Sequence, residues 1–181
     1  MYMKKSLSFW QTVGFVFTGI AGVLLHFLVD WTNQNIIVAS FSAINESIWE
    51  HLKLLFFPMF VFALIENRYI GKEYNNFWCV KLIGIVVGIV SIPVIYYTIN
   101  GIFGPTPDWV NIAIFFVAVF ISYFVETKIY QNGSIGCESP LLALLILFLI
   151  AVLFVVLTFI PPHIPIFKDP ITDTYGYWQV I

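Results

Sequence analysis

Nine consecutive residues combine most of the side chains that could do chemistry in this chain: Asn45-Glu46-Ser47-Ile48-Trp49-Glu50-His51-Leu52-Lys53. They place two carboxylates, an imidazole and an ammonium group at the start of a segment apolar enough to cross a membrane. An ionisable group near hydrocarbon costs about 3 kcal/mol or more, so such groups are normally paired, solvated in a cavity, or functional. The stretch therefore marks a candidate site and leaves its reaction open.

Helical spacing brings several of these groups onto shared faces. In a helix, Glu46, Glu50 and Lys53 form one stripe, because residues three or four positions apart are neighbours. His51 stands about 100° round the helix from Glu50. His26 and Asp30 are also four apart, at the end of the preceding apolar segment. If that face meets the second helix, two imidazoles and up to three carboxylates converge.

This combination of residue types fits a metal centre. Catalytic zinc usually has three protein ligands drawn from His, Asp and Glu, with one position left for water. The sequence predicts His26, Asp30 and His51 as ligands of a divalent metal such as zinc. Glu46 and Glu50 are the candidate catalytic carboxylates, either of which could act as general base. No H-E-x-x-H motif is present, because Glu50-His51 lacks a second histidine four residues later.

The same residues also fit a purely structural role. Asn45 is suited to cap the free backbone N–H groups at a helix start. Glu50 with Lys53 could be an ion pair that lets a polar helix end enter the membrane. At the opposite end of the helices, Glu66 could pair with Lys128, and Arg68 with Glu126. A third interpretation of the outer residues is a proton or ion site.

Composition places the chain among integral membrane proteins. Of its 181 residues, 60% are hydrophobic and only 10% are charged, whereas soluble domains carry roughly 25% charged residues. We expect a single membrane domain over residues 1–181, with membrane lipids as partners. The net charge of −2 offers no basic surface for nucleic acid, and no feature identifies a protein partner.

Five stretches have the roughly 20 apolar residues that a spanning helix needs. They cover residues 9–31, 47–67, 77–99, 110–129 and 141–160, followed by a tail over residues 161–181. The predicted fold is therefore an all-α, polytopic membrane protein with five transmembrane helices and a Pro-rich extended C-terminal segment.

The distribution of cations predicts the orientation. Lysine and arginine flank the N-terminus and the second and fourth loops, and the first and third loops have none. The positive-inside rule then places the N-terminus in the cytoplasm and the C-terminus outside the cell membrane. On this orientation His26, His51 and His163 all lie on the outer side, near Asp108. Cys79 and Cys137 face the reducing side and are expected as free thiols.

The tail has four prolines between residues 161 and 170, which favour a stiff, extended chain. Ile164, Phe167 and Tyr175 give it apolar anchors. We hypothesise that it folds back across the outer mouth and brings His163 or Asp169 to the cluster. Four further residues complete the candidate site: Asn45, Lys53, His163 and Asp169.

Two motifs resemble those of a known family. They are N-E-S-x-W-E-H-x-K at residues 45–53 and P-P-x-x-P-x-F-x-D-P at residues 161–170, the latter followed by Thr172 and Tyr175-Gly176. The family is an uncharacterised group of small multispanning membrane proteins from Gram-positive bacteria, classed as a domain of unknown function. The resemblance covers essentially the whole chain, and His26 with Asp30 fits it. It implies the domain boundaries and the outer motif, and it implies no activity.

Three kinds of function remain open on the sequence. The first is a metal-assisted hydrolase acting on a lipid or peptide at the outer leaflet. The second is a component that binds or transports a small ligand or an ion. The third is an accessory membrane subunit with a purely structural polar network. Polar residues in the middle of the spans are few, chiefly Thr18, Ser91 and Ser122, which favours an outer-facing site over a conducting path.

Overall fold

The protein is a bundle of long helices. The computed structural model describes residues 2–133 and 135–179, with side chains described from residue 7 onward. The helices are α1 (Tyr2–Trp31), α2 (Ile36–Ala39), α3 (Ile48–Ile70), α4 (Phe77–Phe103), α5 (Asp108–Asn132) and α6 (Pro140–Phe159). Single 3₁₀ turns follow at Pro165–Phe167 and Tyr177–Gln179. No strand occurs within the described ranges, so the all-α prediction is confirmed.

Five of these helices are long and apolar enough to cross a membrane, as predicted. They extend past the apolar stretches read from the sequence; α4, for example, continues to Phe103. Hydropathy falls where polar residues begin, whereas a helix continues while its backbone hydrogen bonds are satisfied. The single turn α2 was not predicted. The Asn35 side chain caps it, accepting hydrogen bonds from the backbone N–H groups of Ile37 (2.9 Å) and Val38 (3.4 Å).

Helix α3, which carries most of the chemically interesting motif, lies at the centre of the bundle. It contacts α1, α4, α5 and α6. Within its most apolar window 67% of the residues are buried, against 22% for the peripheral α6. Three charged side chains of α3, those of Glu50, Lys53 and Glu66, are accordingly buried within the bundle.

The surface that runs around the sides of the bundle is apolar. Each long helix exposes large hydrophobic side chains; Ile20, Leu64, Val90, Phe120 and Leu149 are between 48% and 60% exposed. A soluble protein does not present so much contiguous apolar surface to water. This surface fits the hydrocarbon core of a bilayer.

The expectation of two free thiols is wrong for this structure. Cys79, near the start of α4, is bonded to Cys137 in the loop before α6, across 58 residues of sequence. The pair forms because α4 and α5 pack together and bring the loop after α5 to the start of α4. Cysteine spacing alone does not reveal such a contact.

Candidate functional site

The loop before α3 sets the position of the glutamate that leads the motif. Ser47 is the N-cap of α3, and its hydroxyl accepts a hydrogen bond from the Glu50 backbone N–H at 3.4 Å. Asn45 does not cap the helix as expected. Its side-chain oxygen accepts from the Ser47 N–H at 3.0 Å and so stabilises the turn ahead of the cap. Glu46 consequently lies outside the helix and off the predicted Glu46–Glu50–Lys53 stripe.

Glu46 lies between two histidines from different helices. Its Oε1 lies 3.6 Å from His26 Nε2 on α1, and its Oε2 lies 3.4 Å from His51 Nε2 on α3. All three residues offer a ligand atom within 4.8 Å of the others. A tetrahedral zinc ion with bonds of about 2.0–2.1 Å holds its ligand atoms roughly 3.3 Å apart. We call His26, Glu46 and His51 the outer site.

The imidazole of His51 is held in an orientation suited to binding a cation. Its Nδ1 lies 2.9 Å from the backbone carbonyl oxygen of Ser47. A carbonyl can only accept, so Nδ1 carries the proton and the lone pair of the neutral ring is on Nε2, facing Glu46. A lone pair and a carboxylate oxygen 3.4 Å apart repel unless a proton or a metal ion lies between them. Histidine ligands of metals commonly donate their other N–H to an oxygen in this way.

His51 also has the largest effect on the pKa of Glu46. A hydrogen bond from His51, when Nε2 is protonated, holds the pKa of the Glu46 carboxyl below its ordinary value, and the nearby His51 and His26 charges act in the same direction. Partial burial opposes the effect. Glu46 is therefore a carboxylate near neutral pH, which is the form that binds cations.

The outer site opens into two adjoining cavities of about 210 and 470 Å³. Both are lined by Glu46, His51, Asp108 and Asn111. The larger one continues between α1 and α5 along apolar side chains, including Val23, Phe27 and Ile112. These cavities are thus polar at the site and apolar towards the side of the bundle.

The predicted residues Glu50 and Lys53 form a separate, buried cluster. Lys53 Nζ lies 2.6 Å from Glu50 and donates to the Thr158 hydroxyl (2.8 Å) and the Ala39 carbonyl (2.9 Å). Glu50 also accepts hydrogen bonds from the Ile44 N–H and from Thr158. Both side chains are almost fully buried. Glu50 and His51 are adjacent in sequence, and the 100° step between them sends them to different clusters.

The structure places the remaining predicted residues outside the outer site. Asp30 is exposed at the end of α1 and is not one of the three clustered ligand residues among the described part of the chain. His163 is exposed and packs edge-on against the Tyr175 ring. Asp169 is buried, and its carboxylate accepts hydrogen bonds from the N–H of Ile171 (2.8 Å) and the hydroxyl of Thr172 (2.9 Å).

The tail does fold back over the end of the bundle where the outer site lies. The ring of Phe167 lies 4.5 Å from that of Trp49, and Pro170 and Ile171 line the smaller cavity. The hypothesis that the tail reaches the mouth agrees with this geometry. The tail residues that line the cavities are Pro170 and Ile171, however, and not His163 or Asp169.

Sequence reasoning missed Asn111 and gave Asp108 no role of its own. Both line both cavities, and the buried Asn111 Oδ1 has no hydrogen-bond partner among the described residues. Their three-residue spacing at the start of α5 puts them on one helix face. This spacing in the sequence could therefore have indicated a shared polar face.

A third polar cluster, near the opposite end of the bundle, was also missed. Lys81 Nζ lies 2.5 Å from Glu66 and 2.6 Å from Glu126, and Gln11 donates to Glu66 at 3.4 Å. All four side chains are buried. The predicted pairs Glu66–Lys128 and Arg68–Glu126 are replaced, because Lys81 on α4 faces both carboxylates. We call Gln11, Glu66, Lys81 and Glu126 the inner cluster.

Comparison with known proteins gives a family and no relative of known activity. No curated protein matches the sequence, and no solved structure matches it. One family model matches residues 1–177, nearly the whole chain, and it is described as a family of unknown function (DUF6512). The chain belongs to that family.

Proposed function

We propose that the protein binds one divalent transition metal ion, with zinc as the expected ion, through His26, Glu46 and His51. The observation that carries the proposal is the convergence of two imidazole nitrogens on the two oxygens of one carboxylate, at 3.6 and 3.4 Å. The two carboxylate oxygens accept, and so does Nε2 of the neutral His51 ring, so a cation or a proton is needed between Glu46 and His51. Three such ligands leave one position free for water or substrate.

We further propose that the metal site acts as a hydrolase on a lipid at the outer leaflet. The cavity supports a lipid over a peptide, because its lateral wall is made of Val23, Phe27 and Ile112, which are 39–56% exposed on the outside of the bundle. An acyl chain could enter along that wall with its polar group at the metal. Asp108 is the candidate general base, since Glu50 is already held by Lys53 and Thr158.

The first test is the metal content of detergent-purified protein after dialysis against trace zinc. We expect about one zinc per chain in the wild type and a loss of at least tenfold in occupancy for His26→Ala and His51→Ala, each of which removes a ligand. His163→Ala is the matched control, because it removes an exposed histidine away from the site. Wild-type protein without zinc would overturn the metal assignment.

The second test is turnover of a lipid. Vesicles of a mixed phospholipid extract would be incubated with protein, and released fatty acid or headgroup would be measured with and without a chelator. Chelator-sensitive release that falls at least tenfold in Asp108→Asn, with metal content unchanged, supports the hydrolase. Bound metal without release of either product would leave an ion-binding component as the function.

One observation favours that second candidate, an ion-binding or transport component. Polar groups continue below the outer site: the Thr18 and Tyr123 hydroxyls pair at 2.9 Å in the buried core, and the inner cluster follows. A transported ion needs such groups along its route. Zinc uptake into vesicles that contain the protein, lost in His51→Ala, would support transport over hydrolysis.

We propose a cell-membrane location with the N-terminus in the cytoplasm, on the distribution of lysine and arginine alone. The Cys79–Cys137 disulfide then lies on the cytoplasmic side, where disulfides are rare. The charge pattern and the disulfide thus favour opposite orientations. Reporter fusions to the loop at residues 71–76 and to the C-terminus would decide between them; an extracytoplasmic 71–76 loop would overturn the proposed orientation.

A further inference from the structure

The inner cluster joins four helices through buried polar side chains. Gln11 belongs to α1, Glu66 to α3, Lys81 to α4 and Glu126 to α5, and each is at most 5% exposed. Glu66 lies four residues before the end of α3, so the cluster is about 6 Å, roughly one helical turn, inside the helix ends. A cost of several kcal/mol for each buried ion must be offset by the partners within the cluster.

The charges within the cluster do not balance. With both carboxylates ionised, two negative charges face the single ammonium group of Lys81. Besides the two carboxylates, the described neighbours of Lys81 Nζ are the rings of Phe77 and Tyr123, with centroids 5.6 and 5.4 Å away, and these rings carry no compensating positive charge. Tyr123 is hydrogen-bonded to Thr18, and the neighbouring Tyr130 hydroxyl donates to the Phe77 carbonyl. The facing titratable groups on α3, α4 and α5 thus supply one cation for two anions.

Three buried acceptor oxygens of the inner cluster have no hydrogen-bond donor among the described residues. Glu66 Oε1 accepts from Gln11, and Lys81 reaches Glu66 Oε2 and Glu126 Oε2. Glu126 Oε1 and Gln11 Oε1 are buried with no donor among the described residues, whereas Glu66 Oε2, which also lacks a hydrogen bond, is in ionic contact with Lys81. A proton on Glu126 Oε1 would neutralise the excess charge. It would also turn this unpartnered acceptor into a donor.

Two glycines of α4 allow the close approach that buries Glu126. A Cβ atom added at Gly84 on α4 would overlap the Glu126 carboxylate, and one added at Gly88 would overlap the Ser122 hydroxyl. The two glycines thus let α5 approach α4 closely enough to bury Glu126 against Lys81. Burial of this kind favours the neutral form of an acid that lacks a full partner.

We propose that the inner cluster is a proton-binding site that holds one exchangeable proton on Glu126, shared electrostatically with Glu66 and Lys81. This site is separate from the outer site and does not depend on metal there. The protonation state of the Glu126 carboxyl therefore affects the contact between four helices. A simple structural ion pair would instead have both carboxylates permanently ionised.

Infrared spectroscopy of the intact, detergent-purified protein tests the proposal. A protonated carboxyl gives a C=O stretching band that is distinct from carboxylate bands and shifts in heavy water. We expect such a band, equivalent to one carboxyl per chain, at neutral pH, and its loss as pH is raised to about 9. Glu126→Gln should remove the band and leave the neutral Glu66–Lys81 pair intact. Glu73→Gln, which replaces an exposed glutamate, is the matched control and should leave the band unchanged.

Two outcomes would overturn the proposal. Wild-type protein with no protonated-carboxyl band at neutral pH, in sodium-free and in sodium-containing buffer alike, would show that both carboxylates are ionised. A band that appears only when sodium is removed would show that sodium, and not a proton, supplies the missing charge. Both readouts use the wild type, so they stand even if Glu126→Gln fails to fold.

Discussion

The outer site and the inner cluster contain similar groups in different surroundings. In the outer site two imidazoles meet one carboxylate, and their side chains are 24–42% exposed beside a cavity. In the inner cluster two carboxylates meet one ammonium group, and the residues are at most 5% exposed. Water can screen and solvate the first arrangement and cannot reach the second. The outer site is therefore free to exchange a ligand, whereas the inner cluster must satisfy its charges internally.

The largest expected effect comes from removing the inner cation. Lys81→Met leaves Glu66 and Glu126 buried without their shared partner, so we expect the free energy of unfolding to fall by about 3–5 kcal/mol. Thermal unfolding in detergent, followed by loss of the monodisperse peak in gel filtration, measures it. Lys128→Met is the control, because Lys128 is exposed and contacts only the Phe124 ring among the interactions described.

Substitution in the outer site should destabilise the protein less than substitution in the inner cluster. His51→Ala in the metal-free protein should lower the free energy of unfolding by less than about 2 kcal/mol, because its side chain is a quarter exposed. A loss as large as that of Lys81→Met would mean that the outer residues form a structural network.

The Glu50–Lys53 cluster should behave like the inner cluster, although it is adjacent in sequence to the outer site. Lys53→Met leaves the Glu50 carboxylate buried with only the Ile44 N–H and Thr158 as donors. We expect a loss of about 3 kcal/mol in the free energy of unfolding. Metal content per folded chain should not change. Lys72→Met removes an exposed lysine and should have no measurable effect; zinc lost in Lys53→Met would connect the two clusters.

A smaller effect is expected in the tail. Asp169→Ala removes the acceptor for the Ile171 and Thr172 backbone N–H groups and for the Thr172 hydroxyl. We expect about 1–2 kcal/mol of local destabilisation, which should speed proteolysis between residues 161 and 179 at least fivefold. Asp173→Asn is the control, because asparagine tolerates the positive φ of this exposed position and loses only the surface ion pair with Lys168. Equal cleavage rates in wild type and Asp169→Ala would show that the turn does not hold the tail.

The smallest effect concerns acid stability. The pKa of Glu46 is lower in the folded protein than its ordinary value of 4.5, chiefly because of the hydrogen bond with His51. The ionised Glu46 carboxylate therefore contributes its full share to the free energy of unfolding above about pH 4.5. This share is lost as pH falls through the lowered pKa of the folded state. Solvent screening of the partly exposed carboxylate keeps this below about 1 kcal/mol. Glu46→Gln in metal-free protein should flatten that part of the unfolding curve; an unchanged slope would contradict the His51 contact.

The class of fold and the neighbourhood of the site follow from the amino-acid sequence alone. Its apolar content requires helices long enough to satisfy their own backbone in lipid, and five such helices were predicted and found. The concentration of His, Glu and Asp around residues 26–51 pointed to the outer end, and the prolines with Phe167 pointed to a tail that packs there.

Which of these groups meet depends on how the helices pack. Helical periodicity put Glu46 and Glu50 on one stripe, but the helix begins at Ile48, so Glu46 turns to the histidines and Glu50 to Lys53. The inner cluster joins positions 11, 66, 81 and 126, and the disulfide joins 79 and 137. These contacts depend on how five helices pack, and local periodicity carries no information about packing between helices distant in sequence. Burial then separates an exchangeable site from a buried charge cluster, and burial is a property of the assembled bundle.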